Sequence, residues 1–420
     1  MAFGLAWLAV GAVWLVARSD LLATHHAVPG TVALVHAWVL GFLLPVTFGA
    51  VYQLLPVVLG VSLASTRRAW IHCGLHAIGA TGVVAAMAIW RMELVAAAAV
   101  PVVIGVILFA DNVWRTLART HPWRDPVALA FALAAGWLVA TVLAGGLLAI
   151  NRRWFFLTLS PLALLRAHAH LGIAGFFLTL LQGAAFRLVP MFTLGEVRNW
   201  RRVWTGLLAT QLGLAGLVPA LAWEWHGLEA WSAIVLTGGI ALSGWELTAT
   251  LASRRKRPLA PGLRGFAGGA ALLGVATATG LGLALAAGRP AADDPRWAVL
   301  YGTVALLGGL VPMVLGMLCK IVPFLVWLRV YAPRLGRRPT PPATGLAWPA
   351  LEHTWLGLHG LGLAVLLAGV TTINAFWLRL GAGLLAAGIG ALLVNLGLVF
   401  AHLRHARELP VPSALQPAAS

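Results

Sequence analysis

The sequence predicts an all-α polytopic membrane protein: about twelve transmembrane helices in three pseudo-symmetric four-helix repeats, forming one transmembrane domain over 1–420. Three observations carry this expectation. Sixty per cent of the residues are hydrophobic, 10% are charged and mean hydropathy is +0.90, the composition of a chain that lives in lipid. Apolar runs recur at roughly 20 residues, the length that crosses a bilayer as a helix. One of these runs also occurs three times, from His36, His170 and Thr303, at spacings of 134 and 133 residues. Each copy has a glycine five residues on (Gly41, Gly175, Gly308) and another thirteen on (Gly49, Gly183, Gly316). A polar residue stands at offset seventeen (Gln53, Arg187, Lys320) and a proline at offset twenty (Pro56, Pro190, Pro323). Such self-similarity divides the chain into repeats of about 1–125, 126–260 and 261–405, with a short C-terminal tail.

The segments follow in order. Residues 2–18 have neither a basic leader nor a small-residue cleavage site and read as a retained span. Residues 31–64 carry the first copy of the repeated run. Residues 69–90 hold HCGLHAIG, with His72 and His76 one turn apart on one face. The 94–114 segment closes the first repeat near Asp111, and 127–150 opens the second. Residues 161–194 carry HAHLGIAGFFLTLLQGAAFRLVPMFTL from His168. The 203–223 segment has Thr210 where the third segment has His76, and 230–252 ends near Glu246. Residues 263–287 and 298–331 begin the third repeat. WLGLHGLG in 351–374 aligns His359 with His76, and 377–403 is the last span. The repeated helix is therefore the second of each set of four.

A net charge of +17 suggests nucleic acid in a soluble protein, but its placement gives a different answer here. Loops after even-numbered segments and the tail carry nineteen Lys and Arg residues, including Arg67, Arg68, Arg337, Arg338 and Arg407; loops after odd-numbered segments carry eight. This positive-inside bias places both termini in the cytoplasm of an inner membrane. The basic charge then serves topology and anionic lipid rather than nucleic acid. Cys73 and Cys319 both fall toward the cytoplasmic half and indicate no disulfide.

Histidine within a bilayer is expensive and is usually kept for a proton path, a metal or a cofactor. His36 and His170 share a repeat position and therefore a depth. Two imidazoles facing each other at one depth are what a low-spin heme requires, with apolar walls around the ring. His168 precedes His170 by two residues, which turns it by roughly 200° toward the opposite face. The glycines at offsets five and thirteen suit either a flat ring or a closely pressed helix. His72, His76 and His359 form a second group toward the cytoplasmic side, able to serve a metal, a second heme or a quinone, or simply to pack. Met313, Met317 and Cys319 make a soft set suited to Cu(I) or to packing. Arg187 and Lys320 either reach the cytoplasmic headgroups or receive an anionic group. Of the twelve acids few fall within spans, Asp111 and Glu246 among them, near helix ends. A proton pump needs a buried carboxylate relay, and none is legible.

His-x-His followed by G-x-x-G, a later glycine and a proline twenty residues after the second histidine resembles the tenth helix of heme-copper oxidase subunit I. The run from His36, with Pro45 and a terminal L-P-x-x-x-G, is similar to that family's second helix. The resemblance implies three four-helix arcs and a low-spin b-type heme on His36 and His170. It further implies a second heme site on His168, copper as an additional cofactor, and quinol or cytochrome c as electron donor. Size and helix count also resemble NnrS-type heme and copper membrane proteins. The chain departs from the oxidase pattern in three respects. Three helices rather than seven separate the two heme helices, no segment holds a consecutive histidine pair, and no His-x-x-x-Tyr occurs. The expected function is electron transfer or O2/NO handling, with a divergent oxidase or nitric oxide reductase as the enzymatic form. The alternative is a heme or copper transporter or metal-centre assembly factor. Without a CxxCH motif no covalent heme is expected.

Overall fold

A computed structural model describes residues 1–289, 294–336 and 339–404; Arg337, Arg338 and Arg407 lie outside them. Every regular element among the described residues is helical. The twelve helices are α1 (Ala2–Ala17), α2 (Pro29–Val57), α3 (Thr66–Ala88), α4 (Met92–Leu117), α5 (Pro126–Trp154) and α6 (Pro161–Thr193), followed by α7 (Trp200–Ala222), α8 (His226–Ala252), α9 (Pro261–Leu285), α10 (Pro295–Arg334), α11 (Pro349–Thr372) and α12 (Ala375–Arg404). Eleven are long and apolar enough to span a membrane; α1, with 16 residues, is shorter.

Most helices start a few residues before the apolar run does, because their first turns are built from polar caps and proline. Ser65, Asp125, Ser160, Asn199, Asp294 and Asn374 each accept a backbone N–H with the side chain, satisfying donors that the first turn leaves free. Proline occupies the first position of α2, α5, α6, α9, α10 and α11, where its missing N–H costs nothing. α2 stops before residue 64 because Gly60 takes a left-handed φ of +66° and closes it.

Helices α1, α3–α5, α7–α9, α11 and α12 surround three inner ones. The outer neighbours are α3 with α4, α4 with α5, α7 with α8, α8 with α9, and α11 with α12, and α12 also packs against α1. α1, α5 and α9 in turn pack on α2, α6 and α10. Within their most apolar stretches the inner helices are 72%, 67% and 83% buried, against at most 50% for the others. This assigns the repeated helix of each set to the interior.

The repeat positions also coincide in backbone geometry. Each inner helix widens to a π-helix just after its aligned residue: Ala37–Leu43, Leu171–Leu178 and Val304–Leu310. A π-turn shifts hydrogen bonds to i+5 and leaves a carbonyl to be satisfied otherwise. The carbonyl at offset four is Leu40, Ala174 or Leu307. His76 donates Nε2–H to Leu40 O at 2.9 Å, and His359 does the same to Leu307 O at 2.9 Å. Ala174 O instead takes the Thr179 backbone N–H together with its hydroxyl, the latter at 3.2 Å; five residues after Leu40 and Leu307 stand Pro45 and Pro312, which have no N–H to give. A second interaction recurs nearer the other helix ends. Asn112 Oδ1 accepts Ser65 N–H at 2.9 Å, Glu246 Oε1 accepts Asn199 N–H at 2.9 Å, and Asn395 Oδ1 accepts Trp348 N–H at 2.8 Å. Donors and acceptors alike stand 134 and then 149 residues apart, and all three acceptors are at most 1% exposed. Each ties the start of the third helix of its set to the fourth.

Candidate functional site

The π-segments place the aligned residues on the last α-helical turn before each widening. There His36 Nδ1 lies 2.8 Å from Val32 O, and His170 Nδ1 lies 2.8 Å from Arg166 O. A carbonyl can only accept, so in both rings Nδ1 carries the proton and Nε2 presents a lone pair. This is the tautomer and orientation of a metal-ligating imidazole whose far nitrogen is anchored to backbone.

The pairing differs from the sequence expectation. The ring beside His36 is that of His168, with centroids 6.2 Å apart and planes within 9°. His170 stands instead against Tyr301 of α10, whose hydroxyl lies 3.2 Å from His170 Nε2. Since His170 Nε2 is unprotonated, Tyr301 is the donor. α6 therefore does present its two histidines to opposite neighbours, as the two-residue step requires, but the one beside His36 is His168 and not the expected His170. His168 is seated against α5 at Gly145, where a Cβ would come within 2.9 Å of its Cε1; its Nδ1 is buried without a partner.

Tyr301 was not singled out in the sequence, although it stands 133 residues after His168, in that residue's repeat position. Across the three copies the two positions read Leu34 and His36, His168 and His170, Tyr301 and Thr303. The second position of one helix thus meets the first position of the next: His36 with His168, and His170 with Tyr301. His36, His168, His170 and Tyr301 all retain accessible surface, whereas Leu34 and Thr303 are 4% and 6% exposed.

The glycines face protein groups. A Cβ on Gly41 or Gly175 would meet the indole of Trp7 or Trp137 at 2.6 and 2.9 Å; on Gly183 and Gly316 it would meet Ala130 and the Gly262 carbonyl at 2.5 and 2.2 Å. They serve close packing of α1, α5 and α9 on the inner helices, the second of the two readings open to them.

The other histidine group separates into its parts. His76 and His359 are the donors to the π-segment carbonyls, and each leaves its Nδ1 unpartnered. His72, 1% exposed, contacts the Tyr52 hydroxyl through Nδ1 at 3.0 Å, and Phe48 stands edge-on to both His72 and His76. Among the described residues no three His, Cys, Asp or Glu side chains converge to hold a metal ion. Met313 and Cys319 are buried against Gly269 and Gly262 of α9. Arg187 is bound to the Asp125 carboxylate at 2.9 Å and lies over the Trp200 ring, so α5 and α7 account for its charge.

Beyond the spans, His26 in the α1–α2 loop has both ring nitrogens buried without partners. Burial, with the neighbouring His25 and Arg166 charges adding to it, lowers its pKa from 6.5 to about 4. Arg166 Nε is likewise buried without a partner. Two further acids, Glu229 just before the predicted 230–252 span and Glu352 at the start of 351–374, are 6% and 5% exposed in the first turns of α8 and α11. Glu246, counted near a helix end, is fully buried and accepts from the Arg198 and Asn199 backbone N–H groups and the Arg202 guanidinium.

No family model matches the sequence, and no curated protein matches it. Among solved structures, the chain is similar to a heme-copper terminal oxidase determined as a dimer by cryo-EM. The two share 11% identity, with a TM-score of 0.61 over 97% of this chain and 82% of that one, so the chain has a multi-pass membrane fold of the heme-copper oxidase kind.

Proposed function

We propose that this protein binds a low-spin b-type heme between α2 and α6, and uses it for electron transfer or for handling O2 or NO. His36 and His168 would hold the iron. The observation that carries this reading is their relative geometry. A heme held there would take its ligands from the neutral imidazole nitrogens of these two residues. The observed rings are 6.2 Å apart and nearly parallel. The fit is supported by the anchored Nδ1–H of His36, the orphaned Nδ1 of His168 and the side-chain-free surface of Gly145. When bound, a heme supplies one-electron chemistry; the protein's part is to fix two neutral imidazoles, exclude water with apolar helices and set the dielectric around the iron.

The positive-inside bias supports an inner-membrane location with both termini cytoplasmic, which puts the histidines near the outer face. The recurring hydrogen bonds of Asn112, Glu246 and Asn395, and the π-segments at matched positions, support a single domain of three four-helix repeats. A quinol or a cytochrome c is the electron donor that this reading requires.

The purified protein should show a heme spectrum with low-spin bands. His36→Ala and His168→Ala should each remove those bands or convert them to a five-coordinate, carbon-monoxide-reactive form. Protein without any heme band, or both variants with unaltered bands, would refute the reading.

A further inference from the structure

We infer that the junction between the start of α3 and the end of α4 binds the phosphodiester head group of an anionic phospholipid, received by Arg68, Arg115 and Arg119. None of these residues belongs to the heme reading.

The arginines are held in place by one acid. Asp111 Oδ2 accepts from Arg68 Nη1 at 2.6 Å, and Oδ1 accepts from Arg115 Nε at 2.7 Å. A guanidinium has five N–H donors, so each is oriented by Asp111 with donors left over. Arg119, one turn beyond Arg115, gives Nη1–H to Ser62 O and Oγ at 3.3 and 3.2 Å. Together with Ala64, Ser65 and Ala118, the three arginines line an open pocket of about 460 Å³, and Asp111 lies outside the lining. Three cations against one carboxylate leave two positive charges facing that space, where charge-assisted hydrogen bonds to an anion can form.

The other two sets of helices show that the fold does not require these cations. At the spacings of 134 and 149 residues that relate the three junctions, Arg68, Asp111 and Arg115 correspond first to Arg202, Trp245 and Ala249, and then to Leu351, Val394 and Leu398. Arg202 gives Nη1–H to the buried Glu246 at 3.1 Å and lies over the Trp245 ring, so its charge is answered within the protein. The third set has aliphatic side chains at all three positions. Arg119 corresponds to Ser253, whose hydroxyl bonds the Glu196 backbone much as Arg119 bonds that of Ser62. Each junction is already fastened by Asn112, Glu246 or Asn395. The surplus of arginine in the first set therefore has a use other than holding helices together.

Position decides which anion it serves. The exposed indoles of Trp70 and Trp114 stand beside the arginines in the chain, and such rings settle at the depth of lipid head groups. Farther along the same two helices Ile71, Ile78, Ile104 and Ile107 are exposed, an apolar surface over which acyl chains can lie. A basic pocket at the ends of spanning helices suits the phosphates of anionic lipids. Two surplus charges match the two phosphodiesters of diphosphatidylglycerol better than the single one of phosphatidylglycerol.

The experiment titrates diphosphatidylglycerol into the full-length protein in detergent and counts bound lipid by native mass spectrometry. One tightly held molecule per chain is expected, with phosphatidylglycerol held more weakly and phosphatidylcholine failing to compete. Arg119→Gln, which breaks no ion pair, should weaken binding about fivefold, and Arg115→Gln/Arg119→Gln about 30-fold. Arg201→Gln/Arg255→Gln removes the same charge at the same end of the molecule and should leave the affinity unchanged. Equal weakening by the two double variants would mean a diffuse field and overturn the site, as would phosphatidylcholine binding as tightly as diphosphatidylglycerol. Displacement of the lipid by inorganic phosphate would make this a site for free anions and overturn the assignment to lipid.

Discussion

Midway along α2, α6 and α10, the carbonyls of Leu40, Ala174 and Leu307 each take a side-chain hydrogen bond, at matched positions in all three. One turn toward the N-termini the same helices diverge: histidine alone on α2, two histidines on α6, tyrosine and threonine on α10. The first region shows what the fold requires of each copy. A widened helix in lipid must satisfy a freed carbonyl, and an unpaired one costs several kcal/mol (about 2–7). The second region shows what the fold leaves free. Helices alike in backbone at matched positions carry different side chains at their N-terminal ends, and on the proposed reading those differences carry the function. The comparison also reassigns His76 and His359. They belong to the shared region, as donors to carbonyls that Pro45 and Pro312 leave without an N–H, while in α6 the Thr179 backbone N–H fills that place.

The strongest test of the shared region is Glu246. It is fully buried and receives two backbone N–H groups and a guanidinium, whereas its counterparts Asn112 and Asn395 are neutral. Glu246→Ala strands two buried donors and a half-buried cation, and should cost about 3 kcal/mol. Asn395→Ala should cost about 1–2 kcal/mol. Thermal unfolding in detergent measures both, and a Glu246→Ala protein as stable as the wild type would break the argument that these three residues fasten the third helix of each set to the fourth.

A smaller effect separates packing histidines from ligands. His359→Phe should lower stability by about 2 kcal/mol through the unsatisfied Leu307 carbonyl, with heme content and spectrum unchanged. His76→Phe should behave alike. Loss of a heme or metal signal in either variant would return these residues to the divergent, functional class.

Much of the fold was legible because membrane helices obey strong rules. Length and hydropathy find the spans, and fixed-interval glycines, prolines and histidines find the inner helix of each set. The site was legible only in part. Repeat spacing gives depth along a helix and the two-residue step gives opposite faces, so His36, His168 and His170 could be picked out from the sequence. Which face meets which neighbour depends on the circular order of the inner helices, and no spacing along one chain specifies that. That His168 and not His170 lies beside His36 follows from this. Tyr301 was visible in the aligned column before Thr303, but an aromatic in an apolar run gives no polar signal of its own. Glu229 was left outside because α8 begins at His226, four residues before its apolar run.

The smallest expected effect concerns the loop over the divergent ends. His26 follows α1, half-buried, with both ring nitrogens unpartnered and its pKa lowered to about 4 by burial first and by His25 and Arg166 next. In the unfolded chain the same ring titrates near 6.5. Between those values the unfolded state binds the proton more readily, so stability rises with pH there and is lost as pH falls from about 6.5 toward 4. Because the ring is partly exposed, water screens much of the difference, and the loss should amount to on the order of 1 kcal/mol. His26→Gln removes the titration and keeps a polar side chain of similar reach. On moving from pH 7.5 to pH 5, the midpoint of thermal unfolding should fall further for the wild type than for His26→Gln. Equal falls would mean that the loop opens before the ring is protonated, and that His26 does not close over the N-terminal ends of α2 and α6 in the folded protein.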